Sequence, residues 1–254
     1  MTIAAASIYL ASDVHWRPAP PGEPAPLGAF GRFLGDLADR ARASGPVELY
    51  VLGDLFEYWF ERDGRGFAFY EPHIEALAAA RDAGVRLTLL FGNRDFTYRG
   101  VLHERAGAHI AGDRAVVELA GRRVLLEHGD LLCTRDWRYQ IFRRVIRSRA
   151  LRLIAGLLSL ERMTRIIESL RKASQAEIER KAPSVLEVVD AAVARRLGEG
   201  FDVVVCGHVH RPARRLVRAG TRDGELVTLG AWEHDGGWYV AADDEGMHLE
   251  RYTG

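Results

Sequence analysis

Three short apolar runs, residues 7–12 (SIYLAS), 47–52 (VELYVL) and 85–91 (VRLTLLF), alternate with two segments of helical spacing, 27–43 and 71–83. Each run reads as a buried strand. Gly84 suits the C-cap of the second helix, and the proline-rich residues 18–26 form a loop after the first strand. Strand, loop, helix and strand in repetition argue for a layered α/β fold.

The second half changes character. A hairpin is expected from 115–119 and 123–127 around Ala120-Gly121, followed by a long helical region, 136–197, broken near Ser174 and Pro183. Residues 202–206 form another buried strand, and 214–218, 225–229, 238–242 and 247–252 read as short antiparallel strands. The helical region therefore looks inserted into a β-rich core: residues 1–135 and 198–254 form the core, and 136–197 the insertion. A chain of 254 residues suits this plan, and buries roughly 70–75% of its extended surface. Its 48% apolar and 28% charged residues describe a globular protein.

Formal net charge is zero, so bulk charge predicts no nucleic-acid partner. Cys133 and Cys206 stand far apart and form no CxxC pair, which makes a reducing, intracellular compartment the default. The N-terminal residues lack a basic leader, and no stretch approaches 18 uninterrupted apolar residues. Membrane contact is thus expected to be peripheral.

Five short segments carry the chemistry, each where a buried strand runs out: Asp13-Val14-His15, Gly53-Asp54, Gly92-Asn93-Arg94-Asp95, His128-Gly129-Asp130 and Gly207-His208-Val209-His210. Open α/β sheets build their sites at such ends. An extended backbone would put Asp13 and His15 on one side. Carboxylate, amide oxygen and imidazole without thiolate are ligands for divalent metals. Singly, each segment has an ordinary structural explanation, since Gly-Asp is a common turn and a buried histidine is more often a hydrogen-bonded core residue. Five in this order, all at strand ends, point to a site.

The order DxH, GD, GNxD, HGD, GHxH resembles the calcineurin-like metallophosphoesterases across nearly the whole chain. GDLFEYW, FGNRDF, GRRVLLEHGDLLCTRDWRYQIFR, GHVHRPA and LGAW resemble more closely the UDP-2,3-diacylglucosamine diphosphatase family of lipid A biosynthesis. The resemblance implies a layered β-sandwich flanked by helices, with a helical lid. It implies two divalent metals, Mn²⁺ above all, although ligand type alone leaves iron, zinc and cobalt open. Asp13, His15 and His210 would hold one metal, Asn93, His128 and His208 the other, and Asp54 both. A water shared by two cations loses a proton readily and can attack phosphorus in line. Asp54, Asn93, Arg94 and His128 would be catalytic, Arg94 offering its planar fork to phosphate. A salt bridge from Arg94 to Asp95 or Glu57 is the plain alternative.

Residues 135–172 hold ten Arg and one Lys against three acids, a net +8, so the rest of the neutral chain carries −8. Trp137, Tyr139, Ile141, Phe142, Val145 and Ile146 are interleaved with these arginines. A basic amphipathic helix of this kind suits a membrane surface or an anionic lipid; a helical hairpin with solvated arginines is the alternative. The resemblance implies a lid sheltering acyl chains, with Asp136, Ser174 and Lys181 on the substrate, Tyr139 and Arg171 beside them, and Asn93, Arg94 and His208 touching it from the metal centre. The expected partner is a UDP-linked diacylglucosamine lipid, met at the cytoplasmic face of the inner membrane, with no obligate protein partner. Two departures bear on substrate: Ile178 stands where the family usually has a polar residue, and Glu233-His234-Asp235-Gly236 follows LGAW where the family usually has His-Thr-Glu-Gly. Other readings are a broad phosphodiesterase or phosphatase, a nuclease, and a non-catalytic scaffold; the last typically loses ligand histidines, and every expected ligand is present here.

Overall fold

The three apolar runs of the first half form β1 (Ile8–Ala11), β2 (Val47–Val51) and β3 (Val85–Leu90), hydrogen-bonded in parallel in the computed structural model of the chain. The structure describes residues 7–18, 26–61, 70–98, 100–151 and 180–254, with isolated positions between 157 and 177. Parallel strands need crossovers, and α1 (Gly28–Ser44) and α2 (Glu71–Asp82) supply them. The buried face of α1, including Phe30, Phe33, Leu34, Leu37 and Ala41, recurs at helical spacing. Phe33 packs edge-on to Tyr9 of β1 with centroids 6.0 Å apart. Gly84 ends α2 at φ +107°, a conformation that favours glycine.

Two short elements follow that the periodicity did not announce, α3 (Val101–Ala106) and β4 (His109–Gly112). Next come the hairpin β5 (Arg114–Leu119) and β6 (Arg122–Glu127), then β7 (Val203–Cys206), β8 (Ala213–Ala219), β9 (Arg222–Thr228), β10 (Gly237–Ala242) and β11 (Met247–Tyr252). They assort into two sheets, β11-β10-β1-β2-β3-β4 and β5-β6-β7-β9-β8. β6 and β7 pair in parallel, as do β7 and β9, whereas β10 returns antiparallel to β1.

The sheets enclose one apolar layer. Leu10, Leu52, Leu90 and Val240 from the first meet Val124, Leu126, Val203, Val205 and Val227 from the second, all buried. At about 1.5–3 kcal/mol per buried aliphatic side chain, this layer fixes the register of every strand that carries a candidate ligand.

The chain divides into two compact units, Met1–Asp130 with Val193–Gly254, and Leu131–Ala192. In the second, α4 (Trp137–Ile146) starts at Asp136, whose carboxylate accepts from the Tyr139 amide at 3.2 Å. Lys181 closes on the same carboxylate at 2.7 and 2.9 Å. Pro183–Val185 form a 3₁₀ turn where a helix break was expected, and α5 (Asp190–Gly198) follows. Ser174, the other expected break, and Ile178 lie outside the described residues.

Candidate metal centre

Residues leaving the carboxyl ends of β1, β2, β3, β6 and β7 converge at one end of the sandwich. Their backbone is unusual. Asp13 (φ 55°), His15 (52°), Asp54 (53°), His208 (68°) and His210 (54°) are left-handed, and among the described residues only Ala120 joins them without being glycine. The conformation costs roughly 1–2 kcal/mol per residue, and such strain collects at functional sites. Asp13 and His15 therefore do not share a side by extended alternation; the left-handed turns aim them instead. Two glycines are needed for closeness. A Cβ on Gly92 would lie 2.0 Å from Asp54 Oδ1, and one on Gly207 would lie 2.2 Å from Asp13 Oδ2.

Two groups of donor atoms result. In one, His210 Nε2 lies 3.2 Å from Asp13 Oδ1 and 3.3 Å from His15 Nε2. In the other, Asn93 Oδ1 lies 2.8 Å from His128 Nε2 and 2.9 Å from His208 Nδ1. Asp54 reaches toward both, with Oδ2 3.9 Å from His15 Nδ1 and Oδ1 3.8 Å from His128 Nε2. Among the described residues, two trios bring ligand atoms within 4.8 Å of one another: Asp13, His15 and His210, and Asp13, Asp54 and His128.

The donor set fits cations. His128 Nδ1 faces the Leu52 carbonyl at 2.9 Å, so Nδ1 carries a proton and Nε2 is the ring atom turned toward the Asn93 oxygen. A proton on Nε2 or a metal cation must lie between these two atoms, and a backbone carbonyl on the far ring nitrogen commonly orients a ligand histidine. Burial opposes charge on His128, yet the carboxylates of Asp54, Asp13 and Asp130 raise its pKa above the usual value. A proton on this ring can thus take a cation's place. Burial pushes His15 down to about 3 and, with the charge of His128, His208 to about 4, keeping both rings neutral and available. His15 Nδ1 is buried without a hydrogen-bond partner among the described residues. Burial lifts Asp54 to about 7, while Asp13, though equally buried, is held well below the carboxylate range by His210, His128 and His15.

Arg94 extends its guanidinium to Glu57, with Nε 3.5 Å from Asp54 Oδ2 and its amide on Asp54 Oδ1 at 3.0 Å. The plain alternative, an ion pair with Glu57, is therefore present. Asp95 is not part of it. Its carboxylate is fully buried and accepts from the amides of Gly92 (3.0 Å), Asp54 (3.1 Å) and Phe56 (3.2 Å) and from the Tyr98 hydroxyl. Sequence reasoning missed this clamp on the Asp54 turn, and also Ser12, whose Oγ donates to Asp13 Oδ2 at 2.7 Å. Nothing in either residue's type signals it. Asp136, Tyr139 and Lys181 come together in the second unit; Arg171 and Ser174 lie outside the described residues.

The model of the calcineurin-like phosphoesterase family matches residues 6–212. The UDP-2,3-diacylglucosamine hydrolase of Pseudomonas syringae pv. tomato is 37% identical over 218 residues, 85% of this chain and 86% of that one. Its namesake from Pseudomonas aeruginosa (strain UCBPP-PA14) is 34% identical over 241 residues, covering 94% and 96%. Among solved structures, a novel archaeal phosphodiesterase aligns over 96% of this chain and 97% of its own at 12% identity and a TM-score of 0.46. A predicted phosphoesterase from Streptococcus pneumoniae TIGR4 aligns over 99% and 91% at 16% identity and a TM-score of 0.40.

Proposed function

Because the chain belongs to the calcineurin-like phosphoesterase family and, within it, to the UDP-2,3-diacylglucosamine hydrolases, we propose that it adds water across the pyrophosphate of UDP-2,3-diacylglucosamine, releasing UMP and 2,3-diacylglucosamine 1-phosphate in lipid A biosynthesis. The observation that carries this reading is the convergence of ring nitrogens of His128 and His208 on the Asn93 oxygen, 2.8 and 2.9 Å away, beside the Asp13, His15 and His210 trio.

Asp13, His15 and His210 would hold one divalent cation, Asn93, His128 and His208 a second, and Asp54 would reach both. Bound cations supply Lewis acidity toward phosphoryl oxygens and acidify a shared water. Mixed imidazole and oxygen ligands without thiolate suit Mn²⁺ as they suit iron, zinc or cobalt, and the likeness to the diphosphatase family selects Mn²⁺. The chain's own groups orient the reaction. The Arg94 amide holds one Asp54 oxygen, and the Arg94 side chain, about a quarter exposed, would turn its fork to the phosphate that departs with UMP or with the lipid. Asn93 and His208 would touch the same group.

Substrate selection falls to the second unit in this reading, through Asp136, Tyr139 and Lys181 with Arg171 and Ser174. No helix among the described residues is long and apolar enough to cross a membrane. Trp137, Ile141 and Val145 form an exposed stripe at four-residue spacing on α4, beside the arginines at 138, 143 and 144. That pattern supports peripheral contact with the cytoplasmic face of the inner membrane.

The deciding assay incubates the protein with UDP-2,3-diacylglucosamine and Mn²⁺ and follows UMP. Release that does not exceed a metal-free control refutes the proposal. Turnover of an aryl phosphodiester at a rate rivalling the lipid would favour a broad phosphodiesterase instead.

A further inference from the structure

We propose that Ser12 is a positioning residue of the metal centre, its hydroxyl saturating one oxygen of Asp13 so that only the other is offered to a cation. The proposal rests on the function given above, in which Asp13 is a ligand. Ser12 is fully buried one residue beyond β1. Its Oγ lies 2.7 Å from Asp13 Oδ2 and 3.3 Å from the Leu52 carbonyl. A hydroxyl has one proton to give. The Leu52 carbonyl is the farther acceptor and already receives His128 Nδ1 at 2.9 Å, so the proton goes to the ionised carboxylate, where a charge-assisted bond is stronger.

The amide of His208 donates to the same Oδ2 at 2.8 Å. Two donors thus occupy Oδ2, and Oδ1 is left facing His210 Nε2 at 3.2 Å and His15 Nε2 at 3.9 Å. A carboxylate pinned in this way ligates through one oxygen and cannot rotate to chelate through both. The serine has little room to leave: a Cβ on Gly207 would sit 1.9 Å from its Oγ and 2.6 Å from its Cβ.

The test strips metal from the full chain with a chelator and titrates Mn²⁺ by calorimetry and electron paramagnetic resonance. Ser12→Ala should weaken Mn²⁺ binding by on the order of 10- to 100-fold, the range for loss of a partner behind a metal ligand, with the metal-free unfolding curve still cooperative. Ser12→Gly, which removes the hydroxyl and adds no atom at this crowded position, should weaken binding to a similar extent. Equal affinities of Ser12→Ala and the unmodified chain, the latter taking up metal normally, would overturn the role of Ser12 alone. An unmodified chain that takes up no Mn²⁺ would overturn both this proposal and the functional reading. If Ser12→Ala does not fold, Ser12→Gly decides: weakening of tenfold or more supports the role, and near-normal affinity refutes it.

Discussion

Asp95→Asn removes a single charge from a residue that no solvent reaches, and its cost can be worked from the bonds it makes. Oδ1 accepts from the amides of Asp54 and Gly92, while Oδ2 accepts from the Phe56 amide and the Tyr98 hydroxyl. The better amide orientation keeps oxygen at the first pair and puts NH₂ at the second. The tyrosine hydroxyl can turn and accept, but the Phe56 N–H cannot. Charge-assisted bonds are worth about 1.5–3 kcal/mol and neutral ones about 0.5–1.5, so the first pair loses about 2 kcal/mol and the orphaned Phe56 amide adds about 1–3. The sum, about 3–5 kcal/mol, is a large fraction of a typical folding stability. Urea unfolding of metal-free protein should show it as a lower midpoint at unchanged slope. Because the bonds converge on the Asp54 turn, Mn²⁺ affinity should fall too. A loss below about 1 kcal/mol with unaltered metal uptake would refute the view of Asp95 as the clamp.

His15→Gly should abolish turnover yet raise the unfolding midpoint in chelator, because it relieves a left-handed φ of 52° and deletes a buried, unpartnered Nδ1; a lower midpoint in differential scanning calorimetry would contradict this. His73 lies fully buried among Trp16, Phe56 and Tyr70 with neither ring nitrogen bonded among the described residues, and burial lowers its pKa to about 4. Between pH 6.5 and about 4 the unfolded chain takes a proton there that the folded one refuses, so stability falls as pH falls across that window. His73→Phe should flatten this part of the urea-midpoint profile, and an unchanged slope would disprove the assignment. Replacing Trp137 and Ile141 by serine should weaken sedimentation with anionic vesicles by about tenfold or more, given the apolar area each would bury; unaltered binding would remove α4 from the membrane contact.

Much of the core was legible because its signals are local. The runs around Leu10, Leu49 and Leu89 are strongly apolar and bounded by helix or turn residues, and each ends on residues whose chemistry is hard to explain as packing. β4 was invisible because His109–Gly112 has no apolar alternation of its own; pairing with Thr88 and Leu89 makes it a strand. The return of Gly237–Ala242 to lie beside β1 left no mark either, since its partner is more than two hundred residues away. At the site, residue types identified Asp13, His15 and Asp54 as candidates but not the left-handed backbone that aims them. Asp95 was misjudged as a possible partner of Arg94 because a carboxylate next to an arginine suggests an ion pair, whereas burial among backbone amides is decided by the fold.

The placement of β10 between β1 and β11 has a consequence for how the chain is made. β1 leaves the ribosome more than two hundred residues before β10, one of its two neighbours in the sheet. Until residue 242 has emerged, β1 presents an unpaired edge of a kind that invites association with other chains. Asp13 likewise waits for His208 and His210, so the full candidate ligand set cannot assemble until residue 210 has emerged. Such long sequence separations slow folding, and they predict that a chain truncated before β10 would aggregate even though it contains every candidate metal ligand.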